Sequence, residues 1–182
     1  MPASSRLHYL WLAYLSRPEH ERALYRLIRR EKPHQIVEIG IGDGRRTMRM
    51  IRAAARFAGG DSIRYAGIDL FEARAAGTPG LSLKQTHQLL KRSGARVQLI
   101  PGDPLSALTR AANALGNTDL MIISAIHDEA ALRQAWFYVP RMLHARSCVL
   151  WESGTEDGLK LRRLETREIR TRAGAQSRRH AA

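Results

Sequence analysis

The stretch 35–47 constrains the fold more than any other part of this sequence. It opens with an apolar, mostly β-branched run typical of a strand buried on both faces, followed by three alternating glycines, Gly40, Gly42 and Gly44. From Arg45 the apolar residues recur every three to four positions, which predicts a helix. A strand, a glycine turn and a helix in this order place backbone N–H groups and a helix N-terminus beside whatever binds in the turn.

Two acidic residues accompany the turn. Glu38 stands two residues before Gly40, and Asp69 closes a second apolar run 25 residues after Gly44. An acid at the tip of the second strand of a β–α–β unit is placed to accept hydrogen bonds from the two hydroxyls of a ribose. The pattern therefore predicts a nucleoside site between the turn and Asp69. The alternative for Asp69 is an acid that only stabilises a turn.

Further strands and helices alternate along the chain. Strands are predicted at 97–100, 120–123 and 149–151, and helices at 82–92, 105–115 and 129–143. This alternation predicts an α/β fold, a doubly wound, mostly parallel Rossmann-like sheet with helices on both faces. Because the loops after parallel strands meet at one edge, the glycine turn, Asp69, Asp103 and the loop 124–128 are expected to lie together.

The length of 182 residues fits one folded domain. Residues 1–17 are interpreted as an N-terminal segment that covers the domain. The alternative is a lid over the substrate pocket. Residues 18–172 are predicted to form the Rossmann-like domain, and residues 173–182 a basic, disordered tail. Within the domain, 159–164 is expected to be a strand, and 168–171 either pairs with it or belongs to a basic helix.

The single cysteine and the apolar segments bear on location. Cys148 excludes an intramolecular disulfide and a cysteine-rich metal site, and fits a reducing cytoplasm. The apolar stretch 7–15 has nine residues, too few to cross a bilayer core of about 30 Å as a helix. A basic start and a cleavage site for export are not clear either. The sequence therefore predicts a soluble, cytoplasmic protein without a membrane partner.

The net charge of +13 is the compositional outlier. Lysine and arginine release counterions from phosphates, so an anionic partner such as RNA or a phosphorylated metabolite is one interpretation. From residue 160 onward the chain carries eight basic residues against Glu165 and Glu168, which makes this end the candidate RNA contact. An arginine-rich genome would give the same composition without any binding role.

At the glycine turn and the acidic residues around it, the chain resembles the class I S-adenosylmethionine-dependent methyltransferases, and within them the small-molecule O-methyltransferase-like branch. The stretch Glu38–Gly44 is similar to the family's first motif, Asp69 to its ribose-binding acid, and Asp103 to the acid near the adenine. The resemblance covers residues 20–152. It implies S-adenosylmethionine as the cofactor and a small-molecule methyl acceptor whose identity the sequence does not reveal. The cofactor-binding residues that it implies are Glu38, Gly40, Gly42, Gly44, Thr47, Asp69, Asp103 and Ser124. For Thr47 the alternative is a helix-start hydroxyl, and for Asp103 it is a turn acid.

The chain departs from this branch after the fourth strand. Metal-dependent members carry an aspartate at the strand tip and another acid soon after, whereas this chain has Ser124-Ala125-Ile126. With two hard oxygen ligands missing, no Mg²⁺ or Ca²⁺ site of that kind is expected. The candidates for taking a proton from an acceptor hydroxyl are then His127, Asp128 and Glu152, and Asp128 has the alternative of a helix cap. A nucleoside-binding module that has lost catalysis would carry the same features.

Overall fold

A computed structural model describes residues 3–58, 62–127, 129–155 and 158–180 of the chain. Strands and helices alternate through these residues. The strands are β1 (Gln35–Ile39), β2 (Arg64–Asp69), β3 (Arg96–Pro101), β4 (Thr118–Ile123), β5 (Leu143–Thr155) and β6 (Gly158–Leu164). The helices are α1 (Ala3–Leu10), α2 (Arg22–Glu31), α3 (Arg45–Phe57), α4 (Leu83–Lys91), α5 (Pro104–Ala111), α6 (Glu129–Leu132), α7 (Val139–Met142) and α8 (Thr166–His180).

The strands of the described residues form one sheet in the order β3-β2-β1-β4-β5-β6. β1 to β5 run parallel, and β6 pairs antiparallel with β5. This confirms the predicted α/β class and the mostly parallel sheet. The strand order reverses between β1 and β4, and in such sheets ligands bind outside the carboxyl ends of the strands at this reversal.

Side chains pack on both faces of the sheet, and β1 is therefore buried along its whole length. Val37 and Ile39 pack into one core with α5, α7 and α8, whereas Ile36 packs into a second core with residues of α2 and α3. Successive side chains of a strand point to opposite faces, so an apolar run without alternation serves two cores. The two layers hold β1 and the bend after it in a fixed position.

The N-terminal segment packs on the domain. α1 continues into a π-helical turn, Trp11–Leu15, which contacts α2. Leu12 and Ala13 are buried there, while several neighbouring apolar side chains are exposed. A 3₁₀ turn, Glu19–Glu21, then leads into α2 and contacts β6. This turn brings the N-terminal part of the chain to the sheet beside β5.

Two regions differ from the sequence-based expectation. The helix predicted for 129–143 is divided into α6, a 3₁₀ turn at Ala135–Phe137, and α7. Pro140 stands at the start of α7, where its missing N–H breaks no helical hydrogen bond, so a new turn begins there.

The strand expected at 159–164 is present as β6, paired with β5. Residues 168–171 belong to α8, which continues through 173–180, where the sequence predicted a disordered tail. In the described ranges no helix combines the length and the apolar character that crossing a membrane requires.

Candidate functional site

The bend between β1 and α3 requires its glycines. Gly40, Gly42 and Gly44 have φ angles of +89°, +64° and +72°, a region that side chains rarely adopt. A Cβ atom on Gly40 would lie 2.7 Å from the Cβ of Ser124 and 2.8 Å from Cδ1 of Ile126. The loop after β4 therefore packs directly on the bend. Beside Gly42 a Cβ would meet no atom within 4 Å, so this side of the bend is open.

Asp69 lies across from the bend, at the tip of β2. Its Oδ2 accepts hydrogen bonds from the backbone N–H groups of Ile41, at 2.8 Å, and Gly42, at 3.2 Å. Its Oδ1 lies 2.7 Å from the Arg74 guanidinium. Burial alone would raise the pKa of Asp69, but the hydrogen bonds from Arg74 and the bend outweigh it and lower the pKa. The structure thus brings the acid and the glycine bend together, with Asp69 ionised at neutral pH.

Arg74 ties the loop after β2 to the same place. Its Nη1 donates to the carbonyl of Leu81 at 2.8 Å, and the N–H of Leu81 donates to the carbonyl of Gly42 at 3.3 Å. Arg74 therefore holds the Asp69 oxygen that does not bond the bend. A ribose hydroxyl that bound Asp69 at this oxygen would have to displace the guanidinium of Arg74.

Glu38 and Thr47 lie beneath the bend. Glu38 is fully buried, and its carboxylate accepts from Thr47 Oγ1 at 2.6 Å, Tyr65 Oη at 2.8 Å and Arg46 Nε at 3.0 Å. Burial, and then the charge of Glu38, raise the pKa of Tyr65, so its phenol remains a donor. The sequence-based roles for Glu38 and Thr47 were contacts with a cofactor. The structure gives each an internal partner, and the set joins β1, β2 and α3 below the site.

Glu152 lies at the tip of β5 and is surrounded by donors. Its Oε2 accepts from Arg46 Nη1 at 3.0 Å, Ser124 Oγ at 3.2 Å and the N–H of Ala125 at 3.2 Å. Its Oε1 lies 2.7 Å from Nε2 of His20. Burial would raise the pKa of Glu152, but the charge of Arg46 and the hydrogen bonds from Ala125, Arg46 and His20 lower it. Glu152 is therefore held as a carboxylate, and the hydroxyl of Ser124 points to it.

The remaining predicted residues lie around this edge. Asp103 caps α5, because its Oδ1 accepts from the N–H groups of Leu105 and Ser106, both at 3.0 Å. For this residue the sequence predicted an adenine contact or a turn acid, and the structure shows a helix N-cap. His127 is buried in the loop after β4, where its N–H donates to the carbonyl of Ser124. Asp128 lies outside the described residues.

Sequence reasoning missed His20, Arg46 and Arg74. Arg46 pairs with Glu38 and Glu152, which lie 8 and 106 positions away along the chain. A single arginine in an arginine-rich helix gives no signal of such a role. His20 meets Glu152 across 132 positions, and only the three-dimensional fold reveals that pair. Arg74, five residues after Asp69, was within reach of a local argument, because an arginine so close to a buried acid is a natural partner.

Among the described residues no group of three His, Cys, Asp or Glu side chains is placed to hold a metal ion. A cavity of about 800 Å³ opens at the opposite end of the sheet, between the start of β5 and α8, and contains none of the predicted site residues. Its lining includes His144, Arg163 and Arg170.

Some arginines of the basic C-terminal end bind other side chains of the protein. Arg162 and Arg172 both pair with Glu168. The guanidinium of Arg172 also lies 4.5 Å from the ring centre of Trp151 and 5.4 Å from that of Trp136. These cation–π contacts attach α8 to the domain.

A scan of protein-family models and a search of curated proteins both give no match to this chain. Solved structures resemble its fold. An O-methyltransferase from Bacillus cereus in complex with SAH aligns at a TM-score of 0.57 and 15% identity, over 87% of this chain and 70% of that one. The O-methyltransferase TomG from Streptomyces achromogenes, involved in tomaymycin synthesis and solved with SAM, aligns at 0.54 and 14%, over 84% and 66%.

A methyltransferase from Geobacter sulfurreducens aligns at a TM-score of 0.51 and 20% identity, over 83% of this chain and 71% of that one. This chain thus spans about two thirds of the length of the solved structures that it resembles. At these identities the likeness establishes the Rossmann-like methyltransferase fold.

Proposed function

We propose that this protein is a metal-independent methyltransferase that uses S-adenosylmethionine (SAM) and a small-molecule acceptor. The observation that carries the proposal is the position of Asp69, which faces the glycine bend at the carboxyl edge of the sheet. The bend belongs to β1, next to the reversal of strand order, where this class of sheet binds ligands. The likeness in fold to methyltransferases solved with SAM or SAH supports the same function.

The residues at this edge fit the cofactor. The open side of Gly42 leaves room for a methionyl group to approach the backbone. The N-terminus of α3, where the N–H of Arg45 donates to Asp43 Oδ1 at 3.0 Å, lies beside it. Asp69 supplies a carboxylate oxygen for the ribose hydroxyls once Arg74 releases it, and Asp103 lies at the tip of the next strand for the adenine. When bound, SAM supplies an electrophilic methyl group. The protein then has to align the acceptor, exclude water and receive the proton.

Metal independence follows from the tip of β4. The residues Ser124, Ala125 and Ile126 stand there, and the hydroxyl and N–H that this tip offers are turned to Glu152. A divalent cation prefers several carboxylate or carbonyl oxygens. The geometry instead supports catalysis by a protein base.

Calorimetric titration with SAM and S-adenosylhomocysteine (SAH) tests the cofactor. We expect both to bind the wild type, and Asp69→Ala to weaken binding about tenfold or more, since it removes a charged acceptor. Glu165→Ala is the matched control, because Glu165 is an exposed carboxylate beside the cavity at the opposite end of the sheet. Absence of heat with the wild type, or equal affinity in the Asp69 variant, would overturn the proposal.

Transfer of a tritiated methyl group from SAM to a cell extract tests catalysis. We expect label in the small-molecule fraction, and no loss of label when EDTA is added. Binding of SAH without transfer would identify a non-catalytic nucleoside-binding module. Label in RNA would replace the small-molecule acceptor with a nucleic acid.

A further inference from the structure

We propose that His20 is the catalytic base of this site and that Glu152 positions its imidazole ring. This inference rests on the proposed methyltransferase function. His20 belongs to the 3₁₀ turn before α2, its side chain is 12% exposed, and its Nε2 lies 2.7 Å from Oε1 of Glu152. A buried carboxylate that holds one ring nitrogen fixes both the orientation and the tautomer of a histidine, and leaves the other nitrogen to accept a proton.

Glu152 itself is poorly suited to act as the base. Both of its oxygens are occupied, Oε2 by three donors and Oε1 by His20. Ion pairing with Arg46 and the hydrogen bonds around it lower its pKa, which makes the carboxylate a weak proton acceptor near neutral pH. Its geometry is that of a residue that orients a neighbour.

The pair lies where the methyl acceptor would have to bind. Glu152 bonds the hydroxyl of Ser124 and the N–H of Ala125 at the tip of β4, and this loop packs on Gly40. Arg46 then joins Glu152 to Glu38 below the bend. The His20–Glu152 pair is therefore connected to the glycine bend through Arg46 and the loop after β4. Because Nε2 of His20 bonds Glu152, Nδ1 is the ring nitrogen that we assign to the acceptor proton.

Several charged groups surround the His20–Glu152 pair. Glu38 and Glu152 contribute two carboxylates and Arg46 one guanidinium, which leaves one negative charge beside the ring. Glu21, on the same segment, adds a third carboxylate, which lies 3.8 Å from the guanidinium of Arg49. The strand β6 also contacts this segment and carries Lys160 and Arg162, the latter paired with Glu168. Three carboxylates against the guanidiniums of Arg46 and Arg49 leave one net negative charge, which a proton taken up by His20 would balance.

Methyl transfer from SAM to a hydroxyl group releases one proton. The oxygen of an acceptor hydroxyl attacks the methyl carbon, the new carbon–oxygen bond forms as the carbon–sulfur bond breaks, and the sulfur keeps that electron pair and becomes neutral. The hydroxyl proton passes to Nδ1 of His20. The acceptor class is thus a hydroxyl compound, whose proton has to be removed as the oxygen is methylated.

Nuclear magnetic resonance of the wild type, with histidines labelled by ¹³C and ¹⁵N, tests the pair without any acceptor. We expect the neutral His20 ring at pH 8 to carry its proton on Nε2, and SAH to shift the His20 signals but leave those of His87, an exposed residue of α4, in place. Glu152→Gln should relax the preference for this tautomer. A proton on Nδ1, a ring doubly protonated at pH 8, or bound SAH without a shift at His20 would each overturn the proposal.

Kinetics of the tritium assay give the second test. We expect His20→Asn to lower methyl transfer about 100-fold or more and to remove the acidic limb of the pH profile, with SAH affinity unchanged within about twofold. His87→Asn should transfer methyl groups as the wild type does. Equal activity of the His20 variant would exclude it as the base. Loss of SAH binding by the wild type would instead indicate that the proposed function is wrong, while the tautomer measurement still reports on the pair.

Discussion

The carboxylate of Asp69 accepts a hydrogen bond from the backbone N–H of Ile41 at 2.8 Å, across the tips of β2 and β1. This bond holds the glycine bend against the neighbouring strand and orients the acid. It also leaves only one oxygen of Asp69 for other partners, and Arg74 holds that oxygen.

Asp69 should make the fold sensitive to acid. Its pKa is lower in the folded protein than in the unfolded chain, so its contribution to stability is present above the unfolded value of about 3.9 and is lost as pH falls through the folded value. Each unit of lowering corresponds to about 1.4 kcal/mol. We expect urea unfolding between pH 5 and pH 2 to show a steeper loss of unfolding free energy for the wild type than for Asp69→Asn. Parallel curves would contradict this account.

Arg74 should compete with the ribose for Asp69. In Arg74→Ala the Oδ1 atom is released, and we expect SAH to bind about fivefold more tightly, equivalent to about 1 kcal/mol. Calorimetric titration gives the affinity. Arg52→Ala, an exposed arginine of α3, serves as the control for the change in net charge. Weaker binding in the Arg74 variant would show that Arg74 organises the site instead of blocking it.

Gly40 should tolerate no side chain. A methyl group there would lie within 3 Å of Ser124 and Ile126, at a φ angle of +89°. We expect Gly40→Ala to lower the free energy of unfolding by about 2–4 kcal/mol and to weaken SAH binding. Gly154→Ala is the control, because no atom lies within 4 Å of its Cβ position. Equal unfolding free energies for the two variants would contradict the close packing of the loop after β4.

Arg172 should anchor α8. It contacts the rings of Trp136 and Trp151 and pairs with Glu168. We expect Arg172→Ala to cost about 1–2 kcal/mol of stability and to speed hydrogen exchange in residues 166–175. Arg170→Ala removes an exposed arginine from the same helix and should leave the exchange rate unchanged. Fast exchange in the wild type would show that this segment does not form a stable helix.

The fold was largely predictable because its signals are local. A short β-branched run such as Ile36, Val37 and Ile39, ended by glycines, is typical of a strand buried on both faces, and alternating strand and helix patterns lead to a parallel sheet. The antiparallel β6 followed from its own pattern at 159–164. The single helix expected at 129–143 is interrupted at its centre, because packing rather than periodicity decided where its turns end.

The sequence by itself determined the sheet, the glycine bend and the opposition of that bend to Asp69, because these depend on residues close together in the chain and on the rule that parallel strands end at one edge. Only the tertiary structure decided which polar groups face each other. Glu38 received Thr47, Tyr65 and Arg46 as partners, and Glu152 received Arg46 and His20. Buried charges require partners, and the sequence offers several arginines and histidines for that role. Only the folded chain decides which of them lies close enough.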